Sequence, residues 1–91
     1  MIVNIVDYGD ADDKKFITYQ VVGLLSEQLS YLDSNLNEQT SIHEGILKIT
    51  MYFNHELYPF QSDIAKIRMD DFIAREEIEM NIFLSSFLED M

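Results

Sequence analysis

The 91-residue sequence has no cysteine and no tryptophan, a single proline, three glycines and only six basic residues. Without cysteine there is no disulfide, no thiolate nucleophile and no thiolate metal site, which suits a reducing cytoplasm. So little glycine and proline disfavours a turn-rich all-β fold. The longest unbroken apolar run is "VVGLL", far short of a membrane span. The amino terminus, "MIVNIVDYGDADD", lacks the positive start and long apolar core of a secretion signal. These absences lead to the expectation of a soluble cytoplasmic protein.

Catalytic patterns are missing as well. His43 and His55 are each followed by glutamate, in "HEGIL" and "HELYP", but neither reaches the second histidine of the His-Glu-x-x-His zinc pattern. On one helix they would lie about 18 Å apart along the axis, too far to share a metal within a chain. Counted from Asp10, Lys15 and Val21 stand where a calcium loop needs its glycine and its closing glutamate. There is no P-loop, no Gly-x-Gly-x-x-Gly and no nucleophile-elbow serine. No catalytic residue, cofactor or metal is expected. The bases Lys14, Lys15, Lys48, Lys66, Arg68 and Arg75 are scattered and form no stripe for phosphates, so direct nucleic-acid binding is not expected.

What is present is acid. Seventeen acidic residues against six basic ones give a net charge of −11, beyond the magnitude of about 2–8 usual for a small soluble domain. Such a chain is repelled by nucleic acid and anionic lipid and attracted to basic proteins. The acids gather at two places: Asp7, Asp10, Asp12 and Asp13 near the start, and Asp70, Asp71, Glu76, Glu77, Glu79, Glu89 and Asp90 near the end. Apolar residues are 47% of the chain, enough for one folded domain over residues 1–91. A chain this short buries only about 60–65% of its unfolded surface, so a second copy would add stability.

The apolar spacing predicts a mainly α fold: a small bundle of three helices preceded by a short extended segment or strand. Residues 2 to 8, "IVNIVDY", are β-branched and extended, as an edge strand or an arm. Over residues 13 to 36, Ile17, Val21, Leu24, Leu25, Leu29, Leu32 and Leu36 recur at spacings of three and four, with Asp12 as N-cap. Tyr19 and Tyr31 fall on the opposite, weakly charged face. Residues 41 to 57 fit two templates. "LKITMYF" alternates like a strand, while Ser41 and Glu44 fit a capping box and Ile42, Ile46, Ile49, Phe53 and Leu57 form a helical stripe. The helical template accounts for more residues; the alternative is an α+β fold in which this strand pairs with residues 2 to 8. From Ser62 or Asp63 to Met91 the pattern is helical, with Phe72, Ile73, Met80, Phe83, Leu84, Phe87, Leu88 and Met91 on one face. Glu76 interrupts that face and implies a protruding turn, or a pair with Lys66 or Arg68. Ile64, Ile67, Ile78 and Ile82 form a second stripe, read as a homodimer interface.

Acids three or four positions apart on a helix lie about 5–6 Å from one another, close to the spacing of phosphates along a DNA strand. In its small size, lack of cysteine, acidity, helical pattern and expected dimer, the chain resembles the phage DNA-mimic and anti-restriction proteins across its whole length. The resemblance implies a non-catalytic inhibitor that occupies the DNA-binding surface of a host nucleic-acid-binding protein or restriction enzyme, in the host cytoplasm. The eleven clustered acids named above would form the mimicking surface. The stretch from Lys14 to Ile64 departs from this profile, with only a modest excess of acid. Two other classes fit the same acidity: an antitoxin or immunity-type inhibitor of one basic partner, gripping it through Tyr19, Tyr31, Ile78 and Ile82, and a small assembly chaperone.

Overall fold

The β-branched opening run does form a strand, and it is an edge. In the computed structural model, which describes residues 1–54 and 69–91, β1 spans Ile2–Ala11, β2 Lys14–Val22, α1 Ser26–Asn35, β3 Gln39–His43, β4 Ile46–Asn54 and α2 Met69–Glu89. The strands make one antiparallel sheet in the order β1-β2-β4-β3. The fold is α+β, and the three-helix bundle expected from the apolar spacing is not formed.

Two segments account for the difference. Residues 13 to 36 are not one helix: β2 occupies the first part, and only Ser26–Asn35 is helical. Lys15, Ile17, Tyr19 and Val21 are buried in alternation, the period of a strand. Ile17 and Val21 are four apart, which satisfies a strand face and a helix face equally. The buried Tyr19 between them decides for the strand. β-branched and aromatic side chains in "FITYQVV" favour the same outcome. Gly23, at φ +84°, then ends the strand, a backbone conformation that glycine adopts without steric cost. Asp12 is not a helix cap. It stands at φ +57° in the two-residue turn joining β1 to β2.

Residues 41 to 57 are likewise not a helix. β3 and β4 form a hairpin in which His43 pairs with Ile46. The intervening Glu44 and Gly45 have φ of +52° and +78°. Positive φ at both central residues is the mark of a type I′ turn, whose twist matches that of the flanking strands. Glu44 therefore belongs to the turn and not to a capping box. Leu47 and Ile49 are buried, with Met51 and Phe53 partly so, following the alternating pattern. β4 pairs with β2 and β3, not with residues 2 to 8.

Both helices among the described residues lie on one face of the sheet. Leu29 and Leu32 of α1 and Met80 and Leu84 of α2 join Val3, Ile17, Tyr19, Val21, Leu47 and Ile49 in a single buried cluster. Tyr31 of α1 meets Phe87 of α2 edge-on, with ring centroids 5.7 Å apart. Thr40 Oγ1 donates to the Asp33 carboxylate at 2.7 Å, tying β3 to α1. Gln28 Oε1 accepts the Leu25 N–H at 2.8 Å and closes the start of α1. On the sheet's other face, Thr18 and Thr50 share a hydrogen bond of 3.0 Å, and Phe16 and Tyr52 lie 6.5 Å apart.

Candidate functional site

The site is built where α2 lies along the free edge of β1. Phe72 and Ile73, near the start of α2, sit with Tyr8 and Ile17. Ser85, Leu88 and Glu89, near its end, sit with Met1, Gly23 and Leu24. The helix thus runs antiparallel to β1. The start of α2, with Asp70 and Asp71, lies toward the Tyr8 half of β1, while Glu89, near its end, lies toward Met1.

A one-residue irregularity sets the register of this edge. Val3 faces Val21 and Ile5 faces Tyr19, but Asp7 faces Thr18. Val6 is the extra residue of a β-bulge, and the bulge moves the sheet's inward positions from odd to even numbers. Tyr8 and Asp10 then follow on the side that Val3 and Ile5 began. Asp10 consequently meets its cross-strand neighbour Lys15 as an ion pair, and this lets a lysine sit at a buried position.

Three of the eleven clustered acids are engaged within the fold. Asp10 holds Lys15. Glu77 Oε2 accepts the N–H of Ile5 at 2.7 Å, across a sequence separation of 72 residues. An edge strand leaves alternate N–H groups unpaired, and here a helix carboxylate takes one of them. Glu76 is half-buried and hydrogen-bonded to the Tyr19 phenol. Burial, and then the charge of Glu79, push the Glu76 carboxyl above its ordinary value, against a smaller opposing pull from Arg75. The same burial, with the charges of Glu76 and Glu79, pushes the Tyr19 phenol up. Glu76 therefore does not protrude: among the described residues its acceptor role is filled from the strand beneath. Lys66 and Arg68 lie outside the described residues. Tyr19 is 2% exposed, so it is part of the core and not of a contact surface. Asp7, Asp12, Asp13, Asp70, Asp71, Glu79, Glu89 and Asp90 are exposed.

Beside Glu77 a shallow groove runs between β1 and α2. Ile2 and Val3 line one wall and Ala74, Glu77, Ile78 and Ile82 the other. Ile78 and Ile82 are 61% and 62% exposed, and Ile2 is 59% exposed. Isolated exposed apolar residues need no explanation, but a contiguous apolar strip rimmed by polar groups is the form of an interaction surface. Among the described residues of the groove lining, which also include Met1 and Asn81, Glu77 is the one charged side chain. Ile64 and Ile67, expected to extend the same stripe, lie outside the described residues. Tyr31 is partly buried against Phe87.

Nothing among the described residues gathers three or more His, Asp or Glu side chains around a metal position. His43 and Glu44 form an exposed contact of 3.8 Å in the hairpin turn, where an ion pair contributes little. No helix among the described residues is long and apolar enough to cross a membrane.

Fold and face together define a small α+β domain with α1 and α2 on one side of the sheet and an acidic, apolar-striped edge. The chain belongs to a family described as being of unknown function, DUF5750, whose model matches residues 2–90. No curated protein matches it. Sequence reasoning found the acid clusters and the exposed isoleucines. It missed the edge-strand contact of Glu77, for which no local signal exists.

Proposed function

We propose that this protein works by binding, not catalysis, and that it engages a basic protein partner through the face formed by α2 and the β1 edge. The observation that carries this reading is the groove: exposed Ile2, Ile78 and Ile82 beside Glu77, with Asp70 and Asp71 toward the half of β1 that leads into the Asp12–Asp13 turn. Apolar anchors supply affinity in such a surface, while surrounding charge sets the on-rate and the choice of partner. The function fits an inhibitor of the antitoxin or immunity type, directed at one basic protein.

DNA mimicry is the second reading. It is favoured by the antiparallel course of α2 along β1, which puts the start of α2, with Asp70 and Asp71, toward that same half of β1. It is narrowed by the internal engagement of Asp10, Glu76 and Glu77, which leaves Asp70, Asp71 and Glu79 on α2 with Asp7, Asp12 and Asp13 on the hairpin as its surface. The two readings respond differently to salt, because phosphate-type contacts weaken steeply between about 0.1 and about 0.5 M. The test is affinity capture from a bacterial lysate at both salt concentrations, with wild type and with Ile78→Asp, Ile82→Asp. A partner held at high salt by wild type and lost by the isoleucine variant supports the anchored inhibitor. Several DNA-binding proteins held only at low salt, and equally by both, support mimicry. Capture of no basic protein under either condition would overturn both.

A further inference from the structure

Resting on the basic-partner reading above, we infer that the groove takes an extended basic segment of the partner, which adds to β1 as a fifth strand and sets a lysine or arginine against Glu77. The geometry is that of strand addition, in which main-chain hydrogen bonds give affinity and alternate side chains give selectivity. β1 is an edge strand, and the Ile5 N–H points away from β2, since it donates to Glu77. In an antiparallel pair the outward groups recur every second residue, so the N–H and C=O of Val3 lie on the same edge as the Ile5 N–H. Val3 indeed lines the groove. An added strand placed there lies between β1 and the exposed flank of α2. Its alternate side chains then meet Ile78 and Ile82 on the helix side.

Charge selects the occupant. Among the described residues of the lining Glu77 is the one charged side chain, beside Met1 and the neutral Asn81, and no lysine or arginine side chain is among them. The net charge of −11 opposes a second copy of this chain and favours a cationic segment. Glu77 also occupies the hydrogen-bonding position that an incoming strand's carbonyl would take at Ile5. When that carbonyl replaces it, the carboxylate is freed to pair with a lysine or arginine of the segment. Glu77 thus closes the edge in the free protein and reads a basic side chain in the complex.

The probe is a blocked nine-residue peptide alternating valine with lysine or arginine, at about 0.15 M salt. Two controls carry the same charge: the same peptide N-methylated at alternate residues, which cannot pair as a strand, and a lysine–glycine peptide. Backbone amide NMR and hydrogen exchange of Val3 and Ile5 are the readout. The expected result is saturable binding that shifts and slows both amides at least tenfold, with N-methylation weakening it at least tenfold. Glu77→Gln, which keeps an acceptor for Ile5, should weaken the basic peptide several-fold while leaving a serine-for-lysine peptide unchanged. Equal binding of the N-methylated peptide would overturn strand addition and leave the basic-partner reading standing. So would slow exchange at Val3 and Ile5 without peptide in a protein that sediments as a dimer, since a second copy would then fill the groove. Absence of binding by all three peptides overturns the inference, while the lysate capture judges the basic-partner reading independently.

Discussion

Glu76 is an acid on an apolar helix face, kept there by a phenol. Its carboxylate gains a hydrogen bond from Tyr19 but loses water and faces Glu79, and the net effect raises its pKa. A raised pKa in the folded state means that the folded protein holds this proton more tightly than the unfolded chain does. By linkage, stability attributable to Glu76 increases as pH falls through the folded value toward the ordinary 4.5, and is lost as pH rises above it. Glu76→Gln should therefore stabilise the protein at pH 7, by up to about 1 kcal/mol for a partly exposed charge, and the advantage should shrink toward pH 4.5. Thermal melts of both proteins between pH 4 and 8 test this; a variant that is less stable than wild type at pH 7 would refute it. Only half of this arrangement was legible in the sequence. The misplaced acid was visible on the helical stripe, but its partner lies on a strand 57 residues away, in a segment whose spacing of four reads equally as helix.

Elements show the same ambiguity resolved by their ends. The amphipathic pattern of α2 was plain over Phe72, Met80, Leu84, Phe87 and Leu88, because five positions at one period leave no alternative. β2 and β4 were not, since Ile17 and Val21, or Ile49 and Phe53, fit both periods, and the turns between strands carry weak signals. Glu44-Gly45 has glycine at one of the two positions that need positive φ, and the glutamate at the other pays a steric penalty. Asparagine tolerates that conformation better, so Glu44→Asn should stabilise the hairpin by about 0.5 kcal/mol. A chemical-denaturation midpoint that fails to rise would remove the type I′ account of this turn. In the layer above, Leu84 is fully buried beneath α2. Leu84→Ala should cost about 2–5 kcal/mol, a large share of the about 5–14 kcal/mol available to a domain of this size. A loss under 1 kcal/mol in urea melts would show that α2 does not cap the core.

For the molecule as a whole, charge and the apolar strip act in different currents. A net charge of −11 stresses the compact state through self-repulsion, and salt relieves it by shortening the screening length from about 30 Å at 0.01 M to about 8 Å at 0.15 M. The melting temperature should rise by several degrees over that range, since about 1 kcal/mol corresponds to about 4–8 °C here; a flat or falling trend would mean that the acids are locally compensated. The isoleucines behave oppositely, because their burial in a complex is insensitive to screening. Ile78 and Ile82 are more than half exposed, so replacing both by aspartate should change stability by less than about 1 kcal/mol yet abolish partner capture at high salt. Light scattering of the same variant separates two uses of the strip. If wild type is a dimer and the variant a monomer, the strip joins two copies. If both are monomers and only partner binding is lost, the strip belongs to the partner. Retained partner binding in a folded Ile78→Asp, Ile82→Asp protein would leave the acids alone to account for recognition, and charge mimicry would then be the better reading of this face.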